Sequence, residues 1–215
     1  MSGRGEKRDD RLGSLPPGRH GLSRDFVTRN QRERLAAGTI AAVAEKGYRD
    51  TGVTAISAAA GVSRRTFYSY YRDKEDCFLS TYDLFERHLL STLAEGSTAK
   101  SWPALVRERI ARLLAFLSRN TDLVLFALAA PPKVGGVMDD RARRFLERLV
   151  DSLTEGGPAD ATPVELGTVA GTLSAVLVAY VESSQDLADA APELVELTLT
   201  PFLGRKKAIA ESKLG

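Results

Sequence analysis

Apolar positions recur at three- and four-residue steps along most of this chain, and no stretch alternates with the two-residue period of a strand. That pattern predicts an all-α protein. Residues 1–22 break it: they are rich in Gly, Arg, Asp and Pro and offer almost nothing to bury, so they read as a disordered tail. Its arginines (Arg4, Arg8, Arg11, Arg19) fit a solvated tail or an arm reaching into a minor groove. A first helix is expected from Asp25 to Lys46, with Gly47 closing it and Tyr48 folding back over the last turn. Two short helices follow, the second at Arg64–Tyr70, and then a long one from Lys74 to about Ala94. Ser101-Trp102-Pro103 reads as a helix start, with Ser as N-cap and Pro in the first turn. The helix after it carries Val106, Ile110, Leu113, Leu114 and Leu117 at helical spacing. Further helices are expected at about Asp122–Ala129, at Asp139–Leu153, from Thr162-Pro163 to about Leu187, and at Pro192–Leu203, with a short basic tail after Gly204. The change at Lys74 divides the chain into a small domain, 23–73, and a larger one, 74–215.

Thr51–Phe78 is the most informative stretch. Ile56, Ala59 and Ala60 share one face of the first short helix. Gly61 stands where a left-handed residue ends a helix cheaply. Ser63 can cap the next helix, and Val62 with Phe67 fits a hydrophobic staple. Small residues (Ala58, Ala59, Ala60) allow the two helices to cross closely, as a helix-turn-helix requires. Phe67 and Tyr71 point inward, which turns Arg65, Thr66 and Ser69 outward, flanked by Arg64, Tyr68 and Tyr70. That face has two arginines, several hydroxyls and no acid, a composition suited to phosphates and base edges. A plain helical corner with a solvated basic face has the same pattern. Lys74 bears on the choice. Asp73 caps the next helix and Glu75 and Asp76 suit its dipole, but a lysine at the first helical position does not, unless it meets an anion.

Charge is unevenly placed. Residues 1–82 carry a net +5 and the remainder a net −3, within a chain of 215 residues and overall charge +2. A nucleic-acid-binding end joined to an end of another kind has this distribution. The single cysteine, Cys77, excludes an intrachain disulfide and reads as a small packing residue. His20 and His88 lack metal-ligand spacing, so no metal or cofactor is expected. The N-terminus has no apolar signal region, and no run reads as long and apolar enough to cross a bilayer. A cytoplasmic protein with no membrane partner is therefore expected. The second half shows no catalytic constellation, so an enzyme is not expected.

At this point the residues resemble a known family. Gly47-Tyr48, Val53-x-x-Ile56, Ala60-Gly61-Val62-Ser63, Thr66-Phe67-Tyr68-x-Tyr70-Tyr71 and Lys74-Glu75 look like the DNA-binding domain of TetR-type transcriptional regulators. Arg32-Glu33-Arg34-Leu35 and Ala44-Glu45-Lys46 look like its first helix. The resemblance covers about fifty residues and implies an N-terminal three-helix DNA-binding unit with a helix-turn-helix. It also implies a C-terminal helical ligand-binding and dimerisation domain, and a homodimer on a palindromic double-stranded operator. The DNA-contacting set it implies here is Thr54, Ser63, Arg64, Arg65, Thr66, Tyr68, Ser69, Tyr70 and Lys74, with Tyr68 and Lys74 on phosphates. The sequence departs from the family at Gly52, where a threonine is common and a side-chain phosphate contact is lost, and at Tyr70-Tyr71, where His or Tyr and then Phe are usual; Ser57 for alanine and Ala42-Val43 for a larger pair predict a lightly packed three-helix core.

Two features of the second half suggest further roles. Gly167, Gly171, Ser174, Ala175 and Val178, with Leu194 and Leu197 on the last helix, would form a four-helix interface between two subunits or be buried within one. The resemblance favours the first. Trp102, Phe116, Leu117, Phe126, Met138, Phe145 and Tyr180 (with Leu125) form an apolar and aromatic pool, either plain core or the lining of a pocket for a mostly apolar small molecule. The resulting expectation is a homodimeric repressor released from its operator by such a molecule. The alternative is a helical assembly or binding protein of the same fold whose effector is another protein.

Overall fold

The computed structural model describes residues 24–128, 136–183 and 185–214; the basic arginines of the N-terminal segment lie outside them. Among the described residues there are ten α-helices, one 3-10 turn and no strand. Three helices form the N-terminal unit: α1 (Arg24–Asp50), α2 (Val53–Ala59) and α3 (Arg64–Tyr68). The helix α4 (Lys74–Leu93) runs from it into the second domain, built from α5 (Trp102–Arg119), α6 (Thr121–Leu128), α7 (Gly136–Thr154), α8 (Pro163–Glu182), α9 (Ala191–Leu203) and α10 (Arg205–Ser212).

The helix α1 is interrupted where the sequence places its end, at Gly47, whose φ of 73° no other residue adopts cheaply. Thr51, buried just beyond, donates its hydroxyl to Ala42 O and Gly47 O at 3.0 and 2.8 Å and satisfies two carbonyls there. Leu35, Ala42, Ile56, Ala60, Phe67, Tyr71 and Cys77 form the core of the small domain. Gly38 sets the spacing of α1 and α2: a Cβ there would lie 2.6 Å from the Ala60 backbone nitrogen. The expected light packing is thus met by close approach at Gly38–Ala60. Of the three alanines expected in the crossing, only Ala60 is buried; Ala58 and Ala59 face solvent. Cys77 is fully buried beside the Thr39 hydroxyl, at 3.1 Å, and burial pushes its thiol up to about 11.

A second apolar cluster joins the domains. Val43 of α1, Phe78 and Tyr82 of α4 and Phe126 of α6 are all buried in it. Phe78 touches Tyr48 edge-on at 4.8 Å and Phe126 at 4.6 Å between ring centres. Phe126, on α6, therefore supplies bulk next to the small Val43. The main core lies among α4, α5, α7, α8 and α9, around Leu89, Ile110, Leu113, Leu153, Val169, Leu173 and Leu199.

Three expectations are corrected here. The helix α8 ends at Glu182, and a 3-10 turn at Leu187–Ala190 takes over, because Asp186 caps it through Ala188 N at 2.9 Å while Leu187 and Ala190 are buried. The residues after Gly204 form α10: Ala208 is buried, and Glu211 is ion-paired with Arg107 of α5. Among the described residues one helix span, Pro163–Tyr180, is long and apolar enough to cross a membrane by length and composition, with a mean hydropathy of 1.3. Its inner positions Val169, Leu173 and Val176 pack into the domain core, which gives its apolar character another use.

Gly38→Ala would force α1 and α2 apart and should cost about 1–3 kcal/mol, read as a lower urea midpoint at unchanged slope. Cys77 gives a pH test. Its folded pKa of about 11 lies above the ordinary 9.0, so its contribution to stability is complete below pH 9 and is lost as pH rises towards 11. Urea unfolding at pH 8 and pH 10.5 should show a larger loss for the wild type than for Cys77→Ala.

Candidate nucleic-acid interface and effector cavity

The helix α3 has only five residues and is made by its flanks. Ser63 Oγ accepts from Thr66 N at 3.0 Å and caps it, and Phe67 is buried beneath it. It ends at Tyr68, two residues before the expected Tyr70, because the chain turns over into the Asp73 cap of α4, whose side chain accepts from Asp76 N at 2.8 Å. Gly61 has a φ of 61°, and a Cβ on it would meet the Arg34 guanidinium at 2.7 Å. That guanidinium donates to Ala60 O at 3.1 Å and Gly61 O at 2.6 Å, holding the α2–α3 turn against α1. The sequence reading took Arg34 only as part of a family-like first helix. A carbonyl pair 26 and 27 residues away has no local sequence signal.

The outward face carries Arg64, Arg65, Ser69 and Tyr68, all exposed, with Tyr68 at 51%. Thr54, second residue of α2, is exposed beside Gly52, which caps α2 without a side-chain bond. Ser63 Oγ and Thr66 Oγ1 share a hydrogen bond at 2.9 Å, so one of the two O–H groups remains free to donate outward. Ser69 Oγ donates to Arg65 O at 3.0 Å. Tyr70 is half-buried against the small-domain core, so its ring packs there.

Lys74 differs most from expectation. Its ammonium donates to Tyr48 O at 2.9 Å, Arg49 O at 3.2 Å and Thr51 O at 2.8 Å, and lies 4.5 Å from the Tyr48 ring centre. All three donors are used on backbone carbonyls at the C-terminal end of α1, where a cation is favoured. The conflict with the α4 dipole is thus resolved within the chain, with no phosphate needed.

The second domain contains a cavity of ≈ 380 Å³ between α4, α5, α6, α7 and α8. Tyr82, Phe85, Leu117 and Phe145 are on its wall, and Leu173, Ser174 and Val178 border it from α8, where Ser174 is also exposed. Phe145 meets Phe85 at 5.6 Å and Tyr82 at 6.0 Å. Burial raises the Tyr82 phenol to about 12, so it stays a hydrogen-bond donor at neutral pH. Of the pocket residues expected from sequence, the structure brings together Leu117 and Phe145. Phe116 packs behind the wall, 6.4 Å from Phe85. Phe126 turns to the domain junction. Trp102 stacks edge-on upon Phe202 at 5.3 Å, and the Tyr180 hydroxyl reaches towards Asp189 O at 3.5 Å; neither lines the cavity. Leu125 is exposed, and the Met138 side chain lies outside the described residues.

The helix α8 divides its surface. Val164, Thr168, Gly171 and Ala175 form an exposed stripe at heptad-like spacing, with Gly167 and Ser174 exposed beside it. Ser174 and Val178 face the cavity and Gly167 a groove against α7. Leu194 is fully buried in the domain's own core, so it cannot contribute to a subunit contact; Leu197 is half-buried. Among the described residues no His, Cys, Asp or Glu group is arranged to hold a metal ion.

Residues 35–81 match the sequence model of bacterial regulatory proteins of the tetR family. No curated protein matches the chain. Among solved structures, a putative TetR-family regulator from Syntrophomonas wolfei has a TM-score of 0.68 at 18% identity, over 82% of this chain and 97% of its own. A TetR-like regulator from Rhodococcus sp. RHA1 has 0.65 at 20%, over 85% and 99%. The regulator FadR from Bacillus subtilis, in complex with stearoyl-CoA, has 0.64 at 17%, over 80% and 98%. Residues 35–81 thus match the sequence model of that family, and the chain has the fold of solved TetR-family transcriptional regulators.

Arg34→Ala would leave two carbonyls at the α2–α3 turn without their donor and should lower stability by about 1–3 kcal/mol. Lys74→Met should do the same, with the slope of log K against log salt for DNA binding unchanged; a drop of about one in that slope would place Lys74 on a phosphate instead. Urea unfolding and salt titrations read the two effects separately.

Proposed function

We propose that this chain represses transcription as a homodimer, placing the two copies of α3 in successive major grooves of a palindromic operator. The single observation that supports it is the arrangement of α3: Phe67 buried, Ser63 used as cap, and Arg64, Arg65, Tyr68 and Ser69 left exposed on an acid-free face. In this reading Arg65 reads a guanine through O6 and N7, with Arg64, Thr66 and Ser69 completing the base contacts. Tyr68, Thr54 and the free hydroxyl of the Ser63–Thr66 pair hold the backbone and set register. Tyr70, its ring packed on the small-domain core, contributes through its hydroxyl tip from the α3–α4 turn. Lys74 serves as the brace that orients α4 to α1.

The exposed stripe Val164, Thr168, Gly171, Ala175 supports dimerisation through α8, with α9 beside it through Leu197. The small side chains permit close approach of two helices, and burial of this apolar surface accounts for its exposure in one chain. The cavity supports a mostly apolar effector, and FadR, of the same fold, is bound to stearoyl-CoA. The effector acts by favouring a dimer whose α3 helices no longer match the operator, by no more than its differential affinity for the two states.

Arg65→Ala should cost about 1–3 kcal/mol of operator affinity and relax preference at one base position. Binding titrations against operator variants, after selection of the operator from genomic DNA, measure both effects. Loss that is equal for all sequences would remove Arg65 from base readout, and failure to select any palindrome would overturn the repressor reading.

A further inference from the structure

A second recess, of ≈ 340 Å³, lies between α1 and α4. The helix α4 separates it from the effector cavity: Tyr82, Phe85 and Leu89 line the cavity, whereas Ser80, Leu84 and Arg87 line the recess. At about 100° per residue these two sets project from opposite sides of the helix. Buried Ala36 and Tyr71 and half-buried Leu84 give the recess an apolar base. Its rim is charged and exposed: Arg29 and Arg32 from α1, Arg87 from α4, and one carboxylate, Glu33. Along α5 and α7 the arginines are mostly matched by carboxylates, as Arg107 is by Glu211 and Arg141 by Asp83. Among the described residues Arg29, Arg32 and Arg87 form no ion pair, so three like charges face one another across the recess with Glu33 to offset one.

We propose that this recess binds a phosphate monoester with a small apolar or aromatic body, its phosphate bridging Arg32 of α1 and Arg87 of α4. A dianion matches the excess of positive charge, and a tetrahedral phosphate accepts guanidinium forks from more than one side. The body rests on Ala36, Leu84 and the Tyr71 ring. Burial raises the Tyr71 phenol above its ordinary range, so it keeps its proton and is able to donate to an anion. The backbone of a duplex is the competing source of phosphate. The apolar base favours the small molecule, because a nucleic-acid backbone carries no apolar body behind its phosphates. Held by α1 on one side and α4 on the other, the ligand clamps the small domain to the helix that also walls the cavity. That consequence for DNA rests on the regulator reading above; the site itself does not.

The test titrates the full chain with phenyl phosphate by calorimetry at low salt, with phenyl sulfate and succinate as comparisons. Phenyl phosphate should bind, and more tightly at pH 7 than at pH 5, because its second proton leaves at about pH 6 while the arginines keep their charge. Arg32→Gln and Arg87→Gln should each weaken it roughly tenfold. Arg144→Gln, at an exposed arginine of α7, should leave it unchanged. Without ligand, Arg32→Gln and Arg87→Gln should melt at or above the wild-type temperature, since each removes one of three like charges. An absence of phenyl phosphate binding, equal affinity for phenyl sulfate or succinate, or the same loss in Arg144→Gln would overturn the proposal. So would a salt slope of operator binding lowered by about one in Arg32→Gln and Arg87→Gln with no binding of phenyl phosphate, which would give the recess to the DNA backbone. Phenyl phosphate binding by a chain that binds no DNA would support the site and overturn the regulator reading. Operator binding with no phenyl phosphate binding would do the reverse.

Discussion

A five-residue helix has no stability of its own in water, so α3 exists only because tertiary contacts hold it. Phe67 is the contact on which the rest depends. It is fully buried against Tyr71, at 5.8 Å, in a core that includes Leu35 and Ala42 of α1 and Ile56 of α2. With Phe67 inward, helical geometry turns Arg64, Arg65, Tyr68 and Ser69 to solvent. The position of the face proposed to read DNA is thus a consequence of where one aromatic ring is buried. Arg34 and Lys74 stiffen the same frame from two sides, each by satisfying carbonyls at a helix end.

That frame meets the second domain through aromatic side chains. Tyr48, Phe78 and Phe126 form a continuous stack from the end of α1 through α4 to α6, and Val124 and Ala127 on α6 line the cavity. The cavity and the small domain are therefore separated by the thickness of one helix. Two ion pairs also tie α4 to α7 along the cavity: Asp83 with Arg141 at 3.1 Å, and buried Glu86 with Arg148. A group entering between Phe85 and Phe145 would bear on an α4 held at both its domain contacts. Closely packed interiors respond to such an intrusion by shifting as units rather than by deforming locally.

The helix α8 shows how one apolar sequence serves three surfaces. Val169, Leu173 and Val176 enter the core, Ser174 and Val178 border the cavity, and Val164, Thr168, Gly171 and Ala175 remain exposed. The helical period assigns residues to faces, but it does not say what each face will meet. Gly167, Gly171, Ser174, Ala175 and Val178 read as one interface stripe; the first four are all exposed, while Ser174 and Val178 also border the cavity and Gly167 a groove beside α7.

The sequence by itself determined whatever depends on near neighbours along the chain. The all-α class, the Gly47 and Gly61 breaks, the Ser63, Asp73 and Ser101 caps and the inward turn of Phe67 each follow from residues within about one turn of each other, where spacing decides geometry. Tertiary structure alone decided whatever depends on distant partners. Arg34 finds carbonyls 26 and 27 residues away, and Lys74 finds others 23 to 26 residues before it. Aromatic residues with the same local pattern part company for the same reason. Phe145 reaches the cavity, Phe126 the domain junction and Trp102 the α9 helix, because which apolar face meets which is settled only when all ten helices pack together.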